Sequence, residues 1–241
     1  MQDTLTSSLE LQVVMPVYNE ESSIATVIDQ WCARLDGCSI RYSILALDDG
    51  STDRTGTALQ SLHEKWGSKL EWIGQKNAGH GPTILKGYRM AIERGAPWVF
   101  QIDSDGQCDP QYFPRFWEAR DGHDFVSGFR SRREDGFGRV LISMVLRGAI
   151  FLISGVNCRD ANAPYRLMRT AAIAPLVEKI PPTCFFTNVG LSVLAKRAGL
   201  RFALVPIIFR ARLGGRTTVP YRQMGKHAIN LYRNLKELLK D

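Results

Sequence analysis

Apolar runs and amphipathic segments alternate along the first half of the chain. Runs rich in β-branched and aromatic residues predict buried strands, and apolar residues at helical spacing predict helices between them. The predicted strands cover residues 11–15, 42–47, 70–74 and 98–102. The predicted helices run from Ser22 or Ser23 to about Leu35, from 54 to 66 and from 83 to 94. Strands that alternate with helices in this order form a parallel sheet covered on both faces, so an α/β fold is predicted.

The pattern is less regular beyond Pro110. It predicts a helix at 112–118, a strand at 124–129, a helix at 187–198 and a strand at 202–209. The segment Val140–Val156 is strongly apolar but contains Arg147, so it is too short to span a membrane, which takes about 18 apolar residues. Two interpretations remain for this segment: a helix that lies at a membrane surface, or a buried core helix.

The tail from Val219 to Lys240 predicts a basic amphipathic helix. Such a helix either lies on anionic lipid or covers the sheet. Its predicted apolar stripe consists of Ile229, Tyr232, Leu235, Leu238 and Leu239.

Composition and charge narrow the class of protein. The chain has 241 residues, 44% hydrophobic and 23% charged, which is typical of a globular protein with a sizeable core. Its net charge of +7 favours an anionic partner, but charge alone does not indicate nucleic acid, and no nucleic-acid partner is expected. Five cysteines without CxxC spacing favour reduced thiols, and the N-terminus has no apolar signal core, so a cytoplasmic location is expected.

Acidic side chains follow several of the predicted strands. Asp103, Asp105 and Gln107 follow one of them, while Glu20 and Asp49 follow two others. Because ligands bind beyond the carboxyl ends of parallel strands, these side chains are expected to meet at one site. Oxygen donors suit Mg²⁺ or Mn²⁺. The alternative is a set of acidic turns that cap the helices that follow.

The motifs Met15-Pro-Val-Tyr-Asn-Glu20, Leu47-Asp-Asp-Gly-Ser-Thr-Asp53 and Ile102-Asp-Ser-Asp-Gly-Gln107 together resemble the family-two glycosyltransferases. The resemblance covers roughly residues 1–130. It implies a GT-A (Rossmann-like) fold, a mostly parallel central sheet flanked by helices, with interfacial helices in the C-terminal third. It also implies a nucleotide-sugar donor. The residues that match the family's base and ribose contacts are Pro16, Tyr18, Glu20 and Asp49, and those that match its ribose and metal-diphosphate contacts are Asp103 and Asp105.

Further motifs resemble the polyprenyl-phosphate (dolichyl-phosphate) branch of that family. Gln107, followed by Asp109-Pro110, matches the residue that completes the branch's metal site with Asp103 and Asp105. Gly128-Phe-Arg130 and Arg139-Val-Leu-Ile-Ser143 match its acceptor-phosphate motifs, which implies that Arg130, Arg139 and Ser143 bind the lipid phosphate. The alternative is that both arginines are ordinary solvated charges.

Two later motifs match less closely. Asp160-Ala-Asn-Ala-Pro-Tyr-Arg166 stands where the branch carries Asp-x-x-Ser-Gly-Phe-Arg, which leaves the recognition of the donor sugar open. Arg212-Leu-Gly-Gly-Arg-Thr217 resembles an Arg-x-x-Gly-x-Ser loop and makes Arg212 a candidate ligand of the donor diphosphate or the acceptor phosphate.

The sequence therefore predicts an inverting transfer of a sugar from a UDP- or GDP-sugar to a polyprenyl phosphate, with Mg²⁺ or Mn²⁺ as cofactor. Asp105, Asp160 and Arg212 are the predicted catalytic residues. The expected location is peripheral, at the cytoplasmic face of the membrane, through residues 140–156 of a catalytic domain at 1–218 that precedes the helix at 219–241. The oligomeric state stays open. One alternative is a glycosyltransferase that acts on a hydroxyl with Asp160 as base, and another is a non-catalytic nucleotide-sugar-binding protein.

Overall fold

The computed structural model describes residues 9–132, 147–214 and 224–240. Within these ranges seven strands form one sheet in the order β3-β2-β1-β4-β6-β5-β7. Strands β1 to β4 are parallel, β6 is antiparallel to both β4 and β5, and β7 is parallel to β5. The mostly parallel sheet is therefore confirmed. The strands are β1 (Leu11–Val17), β2 (Tyr42–Asp48), β3 (Leu70–Gly74), β4 (Trp98–Gln101), β5 (Phe125–Arg132), β6 (Arg166–Arg169) and β7 (Phe202–Ile208).

Helices cover both faces of this sheet. One core cluster joins alternate strand residues to α1, α2 and α4, and a second joins the other set to α3, α6 and α7. Rings of Trp31, Phe100 and Phe113 meet edge to face in the first cluster, with centroids 5.1–6.4 Å apart, and so tie α1 and α4 to β4. The helices are α1 (Ile24–Asp36), α2 (Thr55–Trp66), α3 (His80–Glu93), α4 (Phe113–Ala119), α5 (147–154), α6 (Thr170–Glu178), α7 (Thr187–Arg197) and α8 (Met224–Leu238).

Two element boundaries differ from the sequence prediction because of proline and glycine. Strand β1 continues through Pro16, which pairs in register with Leu47, whereas β4 pairs with β1 only as far as Val14. The missing N–H of Pro16 therefore costs no ladder bond on the β4 side. Helix α3 begins at His80, ahead of the predicted start at Thr83. Gly81 in its first turn is required by packing, since a Cβ there would lie 2.2 Å from the carbonyl oxygen of Phe185.

Strand β5 is longer than predicted and ends at Arg132. The motif Gly128-Phe-Arg130, which was predicted to end the strand, consequently lies wholly inside it. Because β6 is antiparallel to both β4 and β5, β5 runs in the same direction as β4, and Arg130 is carried to the same edge of the sheet as the ends of β1, β2 and β4. This edge is where the acidic loops were expected to meet.

The helices α5 and α8 pack together on α7. Ile150 of α5 is buried against α7 and against Leu231 and Leu235 of α8. Ile229 and Tyr232, predicted for the apolar stripe of α8, are instead 54% and 50% exposed. The prediction missed Leu231 and was wrong for these two residues, because the direction of the partner helix is not encoded in the spacing of α8 itself.

The outer face of α5 remains apolar. Phe151 is 53% exposed and Leu152 is 85% exposed, while residues 140–146 of the predicted interface segment lie outside the described residues. No helix in the described part of the chain is long and apolar enough to cross a membrane.

Asp124, which precedes β5, links the strands β5, β6 and β7. Its carboxylate accepts two side-chain hydrogen bonds of 3.0 Å from Arg201, which precedes β7, and lies 3.3 Å from Nε of Arg169 at the end of β6. The bidentate bond from Arg201 lowers the pKa of Asp124 to about 2. The start of β5 is thereby linked electrostatically to both of its neighbours.

We expect Asp124→Asn to lower the free energy of unfolding by about 1 kcal/mol at pH 7, after allowance for solvent screening. The folded-state pKa lies below the unfolded value of about 3.9, so this stability is present above pH 4 and is lost as the pH falls toward 2. Urea unfolding of both proteins between pH 7 and pH 3 measures it. Glu10→Gln, which loses an exposed pair with Arg41, is the control and should change little. A difference that stays constant down to pH 3 would contradict the assignment.

Candidate functional site

The loops after β1 and β2 are bonded into one rim. The N–H of Asn19 donates to Oγ of Ser51 over 2.9 Å, and the N–H of Thr52 donates back to Oδ1 of Asn19 over 2.8 Å. Asn19 adopts a positive φ of 52°, which asparagine tolerates better than most residues. The N–H of Glu20 also donates to Oγ1 of Thr55 at the start of α2. The two motifs therefore form a single rim.

Asp49 anchors the loop that leads into α3. Its Oδ1 accepts 2.8 Å hydrogen bonds from Nε2 of Gln75 and the N–H of Ala78, and its Oδ2 accepts one of the same length from the N–H of Gly79. A carboxylate offers about four lone-pair positions, so most of its accepting capacity is used inside the protein. The structure thus places Asp49 at the predicted base-binding rim, but engaged in holding that rim together.

The other predicted base contacts differ in exposure. Pro16 is buried in β1 and shapes the end of the strand from within. Tyr18 is the first residue after β1 and is 39% exposed, which leaves part of its ring available to a ligand. Glu20 is 5% exposed and accepts a 2.5 Å hydrogen bond from Oγ of Ser23. Burial raises the pKa of Glu20, against the lowering effects of Ser23 and Arg212.

The acidic loop after β4 carries a buried negative charge. The side chain of Asp105 is 9% exposed, and its Oδ1 accepts the N–H of Gln107 over 3.0 Å. Burial raises the pKa of Asp105, and the adjacent Asp103 raises it further. Gly106, between Asp105 and Gln107, has a φ of +77°, and a Cβ there would lie 2.6 Å from the side chain of Leu213. This turn therefore requires glycine both for its backbone and for its packing.

The segment 210–213, which follows β7, pairs with the acidic loop. The N–H of Leu213 donates to the carbonyl of Asp105, and the N–H of Arg210 donates to that of Gln107, both over 3.1 Å. The side-chain Nε2 of Gln107 donates to the carbonyl of Arg210 over 3.3 Å, a bond that does not use its amide oxygen. Arg210 also forms an ion pair with Asp109 at 2.5 Å.

Arg212 of this segment lies between two buried carboxylates. Its Nη2 is 2.9 Å from Oδ2 of Asp105, and its Nη1 is 3.4 Å from Oε1 of Glu20. The arrangement joins the first and third acidic motifs through one cation. It accounts for how two carboxylates that burial disfavours are held together at the end of the sheet.

The donor set suits a divalent cation. Asp103, Asp105 and Gln107 supply only oxygen ligands, which Mg²⁺ and Mn²⁺ prefer. Asp105 in addition is a buried carboxylate with an anionic neighbour, so a cation there offsets unfavourable charge. Among the described residues no group of three or more His, Cys, Asp and Glu side chains is arranged to hold a metal, but a set that includes a glutamine is of another type.

Asp160, a predicted catalytic residue and the candidate base for a hydroxyl acceptor, forms an ion pair with Arg130, a predicted phosphate ligand. Nε and Nη2 of Arg130 donate to the two carboxylate oxygens of Asp160 over 2.8 and 2.6 Å. The Arg130 guanidinium also lies 5.3 Å from the centroid of the Phe209 ring. Arg139 and Ser143, the other predicted phosphate ligands, lie outside the described residues.

Arg166 supports the loop that follows Asp160. It is fully buried and donates to the carbonyls of Ala161, Ala163 and Asn188. These bonds tie the part of the motif that differs from the polyprenyl-phosphate branch to α7. Its burial lowers its pKa. The motif arginine therefore has a structural position here and does not face the site.

Sequence reasoning missed three residues near the acidic loop. Nε2 of His80 lies 3.7 Å from Oδ1 of Asp103, and Gln101 donates to the same oxygen over 3.0 Å. Arg210 pairs with Asp109 as described above. The available signals were weak: a histidine between two glycines before a helix, a glutamine that ends an apolar strand, and an arginine two positions before Arg212.

Comparison with known proteins places the chain in a family. A model of the family described as Glycosyl transferase family 2 matches residues 12–174, well over half of the chain. An undecaprenyl-phosphate 4-deoxy-4-formamido-L-arabinose transferase of Edwardsiella ictaluri is 28% identical over 199 residues, which covers 82% of this chain and 59% of the relative. The enzyme of that name from Pseudomonas aeruginosa strain LESB58 is 31% identical over 169 residues, covering 69% and 49%. The chain thus spans about half to three fifths of the length of these relatives.

Solved structures share the fold. Glucosyl-3-phosphoglycerate synthase of Mycobacterium tuberculosis, solved with Mn²⁺ and UDP-glucose, superposes with a TM-score of 0.68 at 20% identity and covers 96% of this chain and 79% of that one. Mannosyl-3-phosphoglycerate synthase of Rubrobacter xylanophilus gives 0.65 at 18% identity, covering 96% and 74%. The sheet described above is therefore a GT-A fold.

We expect Arg212→Gln to destabilise the metal-free protein by about 2 kcal/mol, because Asp105 and Glu20 lose their shared cation while they remain buried. Mn²⁺ should recover part of this loss. Urea unfolding in EDTA and in Mn²⁺ measures both effects. The matched control is Arg54→Gln, whose side chain is 88% exposed in its pair with Glu21 and should be neutral. Equal stability of Arg212→Gln and the wild type in EDTA would contradict the role given to Arg212.

Proposed function

The chain belongs to glycosyl transferase family 2, and we propose that it moves a sugar from a UDP- or GDP-sugar to a polyprenyl phosphate with inversion at the sugar carbon. The observation that carries the proposal is the oxygen-rich cleft where Asp105, beside Asp103 and Gln107, is held by Arg212. The names of the Edwardsiella and Pseudomonas relatives support the lipid-phosphate acceptor. The complex of the mycobacterial structure with Mn²⁺ and UDP-glucose supports the class of donor.

The donor binds at the rim made by the first two motifs. Tyr18 offers a partly exposed ring on which the base stacks, and Asp49 fixes the loop that closes the other side. Asp103 binds the ribose, and Asp103, Asp105 and Gln107 hold Mg²⁺ or Mn²⁺. When bound, that ion supplies a Lewis acid that neutralises charge on the departing diphosphate.

Arg212 is the protein's own cation for the leaving group. It lies against Asp105 at the edge of the cleft, within a segment that the acidic loop holds by backbone hydrogen bonds. A guanidinium in that position donates to the diphosphate oxygens as their charge grows.

The acceptor binds on the β5 side of the cleft. Arg130 points its guanidinium into the pair with Asp160, which fixes its orientation for a phosphate, and Arg139 and Ser143 are the further proposed ligands. An acceptor phosphate is already ionised near neutral pH, so an oxygen of it attacks without a general base. The new bond forms from this oxygen to the sugar carbon as the bond to the nucleoside diphosphate breaks. The protein contributes orientation and charge stabilisation.

A hydroxyl acceptor is the second candidate, because Asp160 is a carboxylate beside Arg130, the proposed acceptor ligand, and could serve as its base. Against this role, both oxygens of Asp160 accept hydrogen bonds from Arg130. A carboxylate held by a bidentate arginine is a weak proton acceptor, since the pair stabilises its ionised form. The phosphate acceptor is therefore the better supported of the two.

Contact with a membrane surface follows from the acceptor. The exposed Phe151 and Leu152 of α5 lie beside α8, whose exposed face carries Ile229 and Tyr232 and whose polar positions include Lys236. Apolar residues flanked by basic ones are typical of peripheral binding to anionic lipid. We place the protein at the cytoplasmic face of the membrane, with residues 1–218 as catalytic domain and the segment 219–241, which contains the basic helix α8, as a separate membrane-associated part.

The test of activity is incubation of the purified protein with Mn²⁺, UDP- and GDP-sugars and a short polyprenyl phosphate, with the lipid product detected by mass spectrometry. We expect one donor to give a glycolipid, and Asp105→Asn to lower kcat at least about a hundredfold. Absence of any glycolipid together with intact nucleotide binding would reject the transferase in favour of a binding protein.

Asp160→Asn separates the two acceptors. With a phosphate acceptor we expect the KM for lipid phosphate to rise about tenfold while kcat changes little, because Arg130 loses its orientation. With a hydroxyl acceptor kcat would fall by about a hundredfold to ten-thousandfold, as for loss of a general base. Asp124→Asn removes a similar bidentate arginine pair at the opposite end of β5 and is the matched control.

Binding to vesicles tests the membrane surface. The double variant Phe151→Ser, Leu152→Ser should reduce binding to vesicles that contain phosphatidylglycerol by about tenfold, since both side chains then lose their burial among the acyl chains. Leu204→Ser is the control, because Leu204 is 43% exposed on the edge strand β7. Sedimentation with vesicles measures the effect, and equal losses for both proteins would reject this face as the lipid contact.

A further inference from the structure

A chain of buried polar side chains leads from α3 to the acidic loop. The hydroxyl of Tyr88 donates to Oδ1 of Asn188 over 2.9 Å, and Nδ2 of Asn188 donates to Oε1 of Gln101 over 3.0 Å. Nε2 of Gln101 then donates to Oδ1 of Asp103 over 3.0 Å. Tyr88 and Gln101 are 0% exposed and Asn188 is 3% exposed, whereas the side chain of Asp103 is 26% exposed. Asp103 is therefore the member of the chain that reaches the cleft.

The direction of the hydrogen bonds is set at the carboxylate end of the chain. Burial raises the pKa of Tyr88, so its hydroxyl keeps the proton that it donates to the asparagine oxygen. Asn188 then presents its nitrogen to Gln101, and Gln101 presents its own nitrogen to Asp103. An ionised carboxylate only accepts hydrogen bonds, which matches the end of the chain. Every member thus has one consistent orientation.

The members of the chain stand on regular elements. Gln101 ends β4 and pairs in register with Val14 of β1 and Arg166 of β6. Asn188 lies in α7, and its carbonyl accepts a 2.9 Å hydrogen bond from the buried Arg166. Side chains held in this way have little freedom to change rotamer, so their hydrogen bonds are maintained at fixed geometry.

Simple core packing does not account for this chain. Burying an amide costs free energy unless its polar atoms are paired, and an apolar side chain of similar size would avoid the cost. The glutamine ends the strand that delivers the acidic loop, and its donor is spent on a carboxylate at the surface of the cleft. This hydrogen bond from Gln101 holds one oxygen of Asp103 in place next to the like-charged Asp105.

We propose that Gln101, held by Asn188 and Tyr88, is a positioning residue that orients Asp103 for the metal and nucleotide, an inference that rests on the proposed function. Without the donor from Gln101, Asp103 rotates away from Asp105 and the oxygen ligands no longer converge. Mutation of a residue that hydrogen-bonds to a metal ligand typically lowers metal affinity by about tenfold to a hundredfold.

The test compares Gln101→Met with Gln12→Met in Mn²⁺ binding, followed as free Mn²⁺ by electron paramagnetic resonance with UDP and with GDP present. Gln12 is also 0% exposed, and its Nε2 donates to the carbonyl of Ser43 on the neighbouring strand, so it is not part of the hydrogen-bond chain that ends at Asp103. Both variants should lose stability on urea unfolding. Only Gln101→Met should bind Mn²⁺ with UDP or GDP about tenfold more weakly.

Tyr88→Phe is a milder variant that keeps the ring and removes only the first donor of the chain. We expect a smaller loss of Mn²⁺ affinity, about twofold to threefold, because the effect must pass through Asn188 and Gln101. Wild-type affinity in both folded Gln101→Met and Tyr88→Phe would overturn the inference, as would an equal loss in Gln12→Met. If the wild-type protein itself fails to bind Mn²⁺ with either nucleotide, the proposed function fails instead.

Discussion

The site depends on how the protein keeps negative charge at the end of its sheet. Parallel strands deliver Glu20 and Asp105 to the same edge, where burial disfavours both carboxylates. Arg212 compensates them from a segment that is itself fastened by backbone hydrogen bonds to the acidic loop. The cation, the two carboxylates and the segment 210–213 therefore stabilise each other. Gly106 has no Cβ, and this leaves room for Leu213 of the segment to pack against the acidic loop.

In the proposed function, binding of the metal would change the partners of Arg212. The oxygen of Asp105 that lies 2.9 Å from Arg212 belongs to the carboxylate proposed to bind the metal. With a divalent ion on Asp105, the guanidinium would keep Glu20 as its partner and would be available to an anion beside it. Arg212 would then exchange one anionic partner, Asp105, for another, the diphosphate, and its charge would stay compensated.

Much of the donor half could be predicted from the sequence because its information is local. The alternation of strands and helices predicted the parallel sheet, and the acidic motifs lie directly beyond β1, β2 and β4. What failed depended on distant partners. Pro16 continues β1 because β4 has already ended beside it, and Gly81-Pro82 lies in α3 because Phe185 packs against that turn. The buried face of α8 is determined by its packing against α5 and α7. The position of the Gln101 side chain depends on a hydrogen bond from Asn188, 87 residues away.

The sheet topology explains why the two proposed substrates share one cleft. The reversal at β6 lets β5 and β7 run parallel, and the end of β5 that carries Arg130 pairs with Ile207 at the end of β7. The segment with Arg212 follows that same strand end, so both arginines belong to the same edge of the sheet although 82 residues separate them in sequence. Each is held by a carboxylate, Arg130 by Asp160 and Arg212 by Asp105. In the proposed function, an anion at Arg212 and one at Arg130 would therefore bind at the same edge of the sheet, as the transfer of a sugar from a diphosphate to a phosphate requires.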